Sequence, residues 1–213
     1  MLSCGDSGSH PVDLAFDFMP LPINRFWIYE VDETIYFGEG DSEESHFFYR
    51  DVITSSYIDE VGNLVYFINR DKSLDQNDWK NHSVFTLQIK RNALIRSFEN
   101  QKDIPLVFPP KDQITWDGNA YNSLGEDMYR LVNLRAYEVG DNTYQSTVKV
   151  IQEEDDDEIT FRDNRYEVYA KGVGMLEQYF EVLTYCSRND CLGEQIIDGG
   201  RFTHLKLINN GQY

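Results

Sequence analysis

Phe26-Trp27-Ile28-Tyr29-Glu30-Val31 opens a series of short runs that decide the fold. The run is aromatic and β-branched, and its length suits a strand with a buried face rather than a helix. Similar runs recur along the chain: Leu64-Val65-Tyr66-Phe67-Ile68, Val84-Phe85-Thr86-Leu87-Gln88-Ile89 and Thr147-Val148-Lys149-Val150-Ile151. Tyr166-Glu167-Val168-Tyr169-Ala170 and Thr203-His204-Leu205-Lys206-Leu207-Ile208 complete the set. Asp59-Glu60-Val61-Gly62-Asn63 and Gly140-Asp141-Asn142 stand between such runs and carry the residues that hairpin turns require. Fourteen Tyr, 13 Phe and 3 Trp favour pleated surfaces, whereas alanine, the best helix former, occurs only at Ala15, Ala93, Ala120, Ala136 and Ala170. The expectation is an all-β protein of about nine to eleven antiparallel strands in a curved sheet, either half-barrel, barrel or sandwich, with at most one or two short helices. Residues 124–131, with Leu124, Met128 and Leu131, hold a faint helical spacing. Residues 103–125, with Pro105, Pro109 and Pro110, read as the longest interruption, crossing between sheet halves or covering one end.

The chain has 213 residues, enough to bury about 70% of its unfolded surface, and no composition shift near the middle. It divides into a flexible tether, residues 1–20, and one β domain, residues 21–213. Thirty-seven acids against 19 bases give a net charge of −18, which repels nucleic-acid backbones and anionic lipid surfaces. No stretch reaches the about 20 apolar residues of a membrane-spanning helix.

Three cysteines are placed unequally. Cys4, in Leu2-Ser3-Cys4-Gly5 ahead of a Gly/Ser-rich stretch, resembles the cleavage site of a bacterial lipoprotein, whose cysteine becomes acylated. The competing reading is an exposed thiol in a tail; lipidation is preferred because the polar tether fits an anchor. Cys186 and Cys191 flank Ser187-Arg188-Asn189-Asp190, a tight loop across which a disulfide can close, implying an oxidising compartment. No Cys/His pair lies near enough to make them a zinc site.

His10, His46, His82 and His204 are scattered and form no metal motif. No nucleophile elbow, phosphate loop or dinucleotide fingerprint is present, so no cofactor, metal or catalytic residue is expected. Glu153-Glu154-Asp155-Asp156-Asp157-Glu158 and Asp41-Ser42-Glu43-Glu44 read as solvated loops; the first lacks the spacing that folds oxygens around calcium. Gly172-Val173-Gly174 reads as a bulge or a sharp bend. Around Thr115-Trp116-Asp117-Gly118-Asn119-Ala120-Tyr121 aromatics alternate with amides, so Trp116, Asp117, Asn119 and Tyr121 are candidate ligand contacts. The alternative, preferred here, has Trp116 plugging the barrel end above an Asp117-Gly118 turn.

Several strings together resemble uncharacterised secreted lipoproteins of Bacteroidota. Pro22-Ile23-Asn24-Arg25-Phe26-Trp27-Ile28-Tyr29-Glu30-Val31-Asp32 resembles their start, a tether followed by G-N-Y-W-x-Y-x-V-D, with Phe26 standing where Tyr is common. Thr115-Trp116-Asp117-Gly118-Asn119 and Tyr169-Ala170-Lys171-Gly172-Val173-Gly174-Met175-Leu176 resemble the family's middle and late motifs. The Gly-Val-Gly string also resembles periplasmic lipoprotein-carrier-like half-barrels, in which a curved sheet shelters an apolar concavity. The resemblance implies a cell-envelope lipoprotein anchored in the outer membrane, and brings no catalytic residues. The expected function is a non-enzymatic binding or interaction module for an apolar molecule, a glycan or an envelope protein. The alternatives are a structural or accessory subunit of an envelope complex and a carbohydrate-active enzyme.

Overall fold

The computed structural model describes residues 13–213 and is built almost wholly of strands. After a single 3₁₀ turn, Phe16–Phe18, the first meander comprises β1 (Arg25–Gly38), β2 (Asp41–Ile58), β3 (Leu64–Ser73), β4 (Lys80–Lys90), β5 (Ala93–Phe98) and β6 (Gln101–Val107). The second comprises β7 (Thr115–Asp117), β8 (Met128–Val139), β9 (Asn142–Asp156), β10 (Phe161–Ala170), β11 (Gly174–Tyr185) and β12 (Ile197–Gln212). All twelve form one antiparallel sheet in the order β6-β5-β4-β3-β2-β1-β12-β11-β10-β9-β8-β7. Each strand pairs with its sequence neighbour, except that β1 and β12, from opposite ends of the described chain, pair with each other from Arg25↔Gln212 to Tyr36↔Gly200.

The free edges of this sheet belong to β6 and β7, and residues 108–114 carry the chain from one to the other. The edges meet: Ile104 N donates to Gly118 O at 2.9 Å, and Trp116 Nε1 donates to Ile104 O at 2.7 Å. Asn122 Nδ2 donates to Lys102 O at 2.7 Å. The sheet thereby curls into a nearly closed barrel, which shields two otherwise unpaired edges. The expected crossing is thus present, but it begins inside β6 and contains β7. Pro105 fits within β6 because an edge strand does not need every N–H for a ladder.

The all-β expectation holds, with twelve strands instead of nine to eleven. Residues 124–131 are not helical: Met128 opens β8, and residues 118–127 form the loop before it. Asp41 to Glu44 are not a loop but the first residues of β2, paired with Thr34 to Gly38 of β1. Most of the acidic run is strand as well. β9 continues to Asp156, opposite Arg162, and the hairpin tip is Asp157–Thr160, where the Asp157 carboxylate accepts from the backbone of Ile159, Thr160 and Phe161. Of the expected turn Gly140-Asp141-Asn142, Gly140 and Asp141 make the turn, and Asn142 opens β9 opposite Val139.

The domain begins earlier than residue 21. Phe18 and Met19 are buried in the core, and Phe16 meets Phe108 edge-on at 5.1 Å, so this part of the expected tether is the plug of one barrel end. Cys4 and the rest of the tether through residue 12 lie outside the described residues.

Candidate functional site: a lumen open at one end

At the plugged end the inward side chains fill the barrel. Phe18, Met19, Trp27, Leu94, Leu106 and Leu176 are all buried in a single core. Trp27 is fixed by its Nε1, which donates to Val173 O at 2.7 Å. The Gly172-Val173-Gly174 turn joins β10 to β11 over this indole. Gly174 adopts a φ of +107°, and a Cβ there would stand 2.9 Å from Trp27 Nε1, so the close approach requires glycine.

A layer of ion pairs crosses the middle of the barrel. Arg96 of β5 donates Nε and Nη2 to Asp103 of β6 at 3.1 and 2.6 Å, and Nη1 to Glu167 of β10 at 2.8 Å. β5 and β10 are far apart in the sheet order, so this guanidinium is a strut across the lumen. Glu167, fully buried, also accepts from Gln178 Nε2 at 2.7 Å and from the Tyr169 hydroxyl. Beside it Arg70 donates Nε and Nη2 to Asp51 at 2.7 and 2.6 Å, its guanidinium 4.6 Å from the Tyr49 ring and 5.2 Å from that of Phe85.

Nearer the mouth Arg165 faces Asp163 at 2.6 Å and Asp127 at 3.0 Å, and Arg201 faces Glu33. Burial opposes the charge of Arg96, but Asp103 and Glu167 outweigh it and hold its pKa well above the ordinary arginine value. Burial pushes the Asp103 carboxyl up while Arg96 draws it back down. Burial first, and the neighbouring carboxylates second, raise Tyr29 and Tyr169 far above 10, so both phenols stay neutral.

A cavity of about 970 Å³ occupies the lumen and opens at the end away from the 3₁₀ turn. Its wall carries Phe85, Phe98 and Phe180, and its rim includes Leu124, His82 and Lys102. Phe98 and Leu124 are 39% and 53% exposed, an apolar lip on an otherwise polar mouth. The volume is at the upper end of the range for small-molecule sites.

Of the four residues chosen from the sequence as ligand contacts, only Asn119 lines this cavity. Trp116 sits on β7 with its indole closing the barrel seam and its ring 6.1 Å from that of Tyr129, edge-on. Asp117 accepts from the backbone of Asn119 at 2.9 Å and of Asp127 at 3.0 Å, and so shapes the loop. Tyr121 is outside the lumen, its ring 5.6 Å from Lys90 Nζ. Asn119 itself donates Nδ2 to Gly125 O and accepts from Asn122, which also borders the cavity. Sequence reasoning did not find Arg70, Arg96, Gln152 or Gln178. Their signal is a polar residue at a strand position whose neighbours on the same face are apolar.

Cys186 and Cys191 form a disulfide, with Cα atoms 5.8 Å apart, that closes the loop after β11. Among the described residues no group of three or more His, Cys, Asp or Glu is placed to hold a metal ion.

No family model matches the chain, and no curated protein matches it. Two solved structures share a weak likeness with it. A protein of Parabacteroides distasonis, provisionally named a lipoprotein, aligns with a TM-score of 0.40 at 9% identity over 91% of this chain and 98% of its own. A protein of Bacteroides fragilis, provisionally named as exported and with a YmcC-like fold, aligns with a TM-score of 0.38 at 11% identity over 92% and 99%.

Proposed function

We propose that the protein is a non-enzymatic binding module of the cell envelope whose lumen holds a small ligand. The observation that carries this reading is the cavity of about 970 Å³, closed at one end by Phe18 and Met19 and open at the other. A barrel that served only as a structural block would fill its interior with side chains from end to end. The carboxylates around the cavity support binding over catalysis. Asp51, Asp103, Asp127 and Glu167 are each engaged by an arginine, which leaves Glu99, at the exposed rim, without a second unpaired carboxylate beside it on the cavity wall.

The disulfide supports an oxidising compartment, and Cys4 supplies the anchor for an outer-membrane lipoprotein. The net charge of −18 argues against a nucleic-acid partner. A second reading, an accessory subunit of an envelope complex, has its own observation. Tyr57, Ile58, Val61 and Leu64 are exposed together around the β2–β3 turn, an apolar hairpin end without a partner among the described residues.

Native mass spectrometry of the protein extracted from its own cells tests the first reading. The wild type is expected to carry a non-covalent adduct, and Thr203→Trp, which inserts a large ring into the lumen from β12, is expected to lose it with the fold intact by circular dichroism. An adduct-free wild type, or an adduct retained by the variant, contradicts the lumen as the site.

A further inference from the structure

Gln152 is buried, 8% exposed, lines the cavity, and makes no side-chain hydrogen bond among the described residues. It stands beside an irregularity in β9. In the β9–β10 ladder Ile151 pairs with Tyr166 and Glu153 with Arg165, so Gln152 is the extra residue of a β-bulge. Gln152 continues the inward alternation of Val148 and Val150, and its carboxamide stands in the lumen with no side-chain partner among the described residues. Its amide reaches the open lumen, where water or a ligand can complete it. The Ser83 hydroxyl, also on the cavity wall, is fully buried and has no partner among the described residues, an unfavourable state that a ligand or water would relieve.

The charged groups inside the lumen are in the opposite condition, while Glu99 and Lys102 stand at its exposed rim without an ion pair among the described residues. Arg70, Arg96, Arg165 and Arg201 each face one or two carboxylates. Below the rim an anionic ligand would have to break one of these pairs or enter unpaired, and a cation would meet the same obstacle from the other side. Groups that donate and accept without charge suffer no such penalty. Hydroxyls can bridge a free amide, a serine and the outer lone pairs of paired carboxylates, while Phe85, Phe98 and Phe180 offer faces for aliphatic C–H surfaces.

Building on the reading of the lumen as a ligand site, we propose that it takes an uncharged, hydroxyl-rich ligand, a neutral saccharide, with Gln152 as a hydrogen-bonding determinant.

The test is a glycan array of neutral and acidic saccharides, probed with wild type and Gln152→Leu, beside thermal melts of both proteins and a titration with the neutral apolar dye N-phenyl-1-naphthylamine. Wild type is expected to retain neutral glycans, and Gln152→Leu to hold them about tenfold more weakly, as the loss of one or two hydrogen bonds requires. The variant should melt at the same temperature or higher, because the leucine removes an unpartnered amide and breaks no bond of the fold. Retention of acidic glycans alone overturns the charge reasoning, and equal retention by the variant overturns the role of Gln152. A variant that melts lower gives Gln152 a structural role instead. Dye binding without any glycan binding replaces the saccharide by an apolar ligand and leaves the lumen as the site. Binding of neither probe removes the lumen reading together with this one.

Discussion

Replacing Arg96 with methionine is expected to destabilise the protein by about 3–5 kcal/mol, the magnitude seen when one partner of a buried ion pair is removed. In a domain of this size that corresponds to a fall in Tm of roughly 10 °C. The cause is what remains: Asp103, and Glu167 with no exposed surface, would face each other without the guanidinium that bonds both. The effect should depend on pH, with the sign fixed by Asp103.

Burial holds the Asp103 carboxyl above its usual value even with Arg96 beside it, so removing Arg96 raises it further. A carboxyl raised in the folded state contributes stability below its unfolded pKa, about 4, and loses that contribution as pH rises through the folded value. The deficit of Arg96→Met should therefore be largest at neutral pH and smaller at acid pH. Adding Glu167→Gln to the variant removes one stranded charge and should restore part of the loss. Urea unfolding at two pH values checks this, and a deficit below about 1 kcal/mol, or one indifferent to pH, contradicts the strut.

Trp27→Ala is the second large effect, expected to cost about 3–5 kcal/mol as a large aromatic is deleted from a packed core. Trp27 is 1% exposed, and its indole is gripped by the Val173 carbonyl and by the close approach of Gly174. Trp27→Phe keeps much of the ring volume and loses the N–H. It should cost only about 1 kcal/mol, because Arg25 Nη2 still donates to the same carbonyl at 3.1 Å. Denaturant melts of the pair separate packing from hydrogen bonding. If Trp27→Ala were nearly neutral, the closed end of the barrel would not be packed, and the lumen would run through the molecule as a channel.

The sequence made the strands and hairpins legible because both are local. Alternation in Val84 to Ile89 and the turn chemistry of Asp59 to Asn63 lie within a few residues of one another, and with one exception each strand pairs with its neighbour in the chain. The barrel seam was not legible. It depends on Ile104 meeting Trp116 and Gly118, and Pro105 reads as a loop signal when no edge strand is yet in view. Acidic residues at Asp41 to Glu44 and Glu153 to Asp156 likewise look like loops, but long hairpins carry them as the solvated ends of strands.

The site was the least legible part. Glu167 lies among Tyr166, Val168 and Tyr169, and its partner Arg96 is 71 residues away, so nothing local marks it as half of an internal ion pair. Gln152 follows Val148 and Val150 on the inward face of β9, but one amide at the end of such an alternation does not by itself mark a cavity wall. The aromatic-and-amide loop from Trp116 to Tyr121 attracted attention because its residues are contiguous. The fold uses Trp116 and Asp117 to close the barrel and shape the loop, and leaves Asn119 at the rim.

A crystal structure of the protein as extracted from its own cells tests the central claim most directly. The predicted result is density for a bound molecule inside the lumen, within hydrogen-bond reach of Gln152 and against Phe98 and Phe180. A lumen closed over by residues 118–127, or filled with the protein's own side chains from Phe18 to the rim, would contradict it.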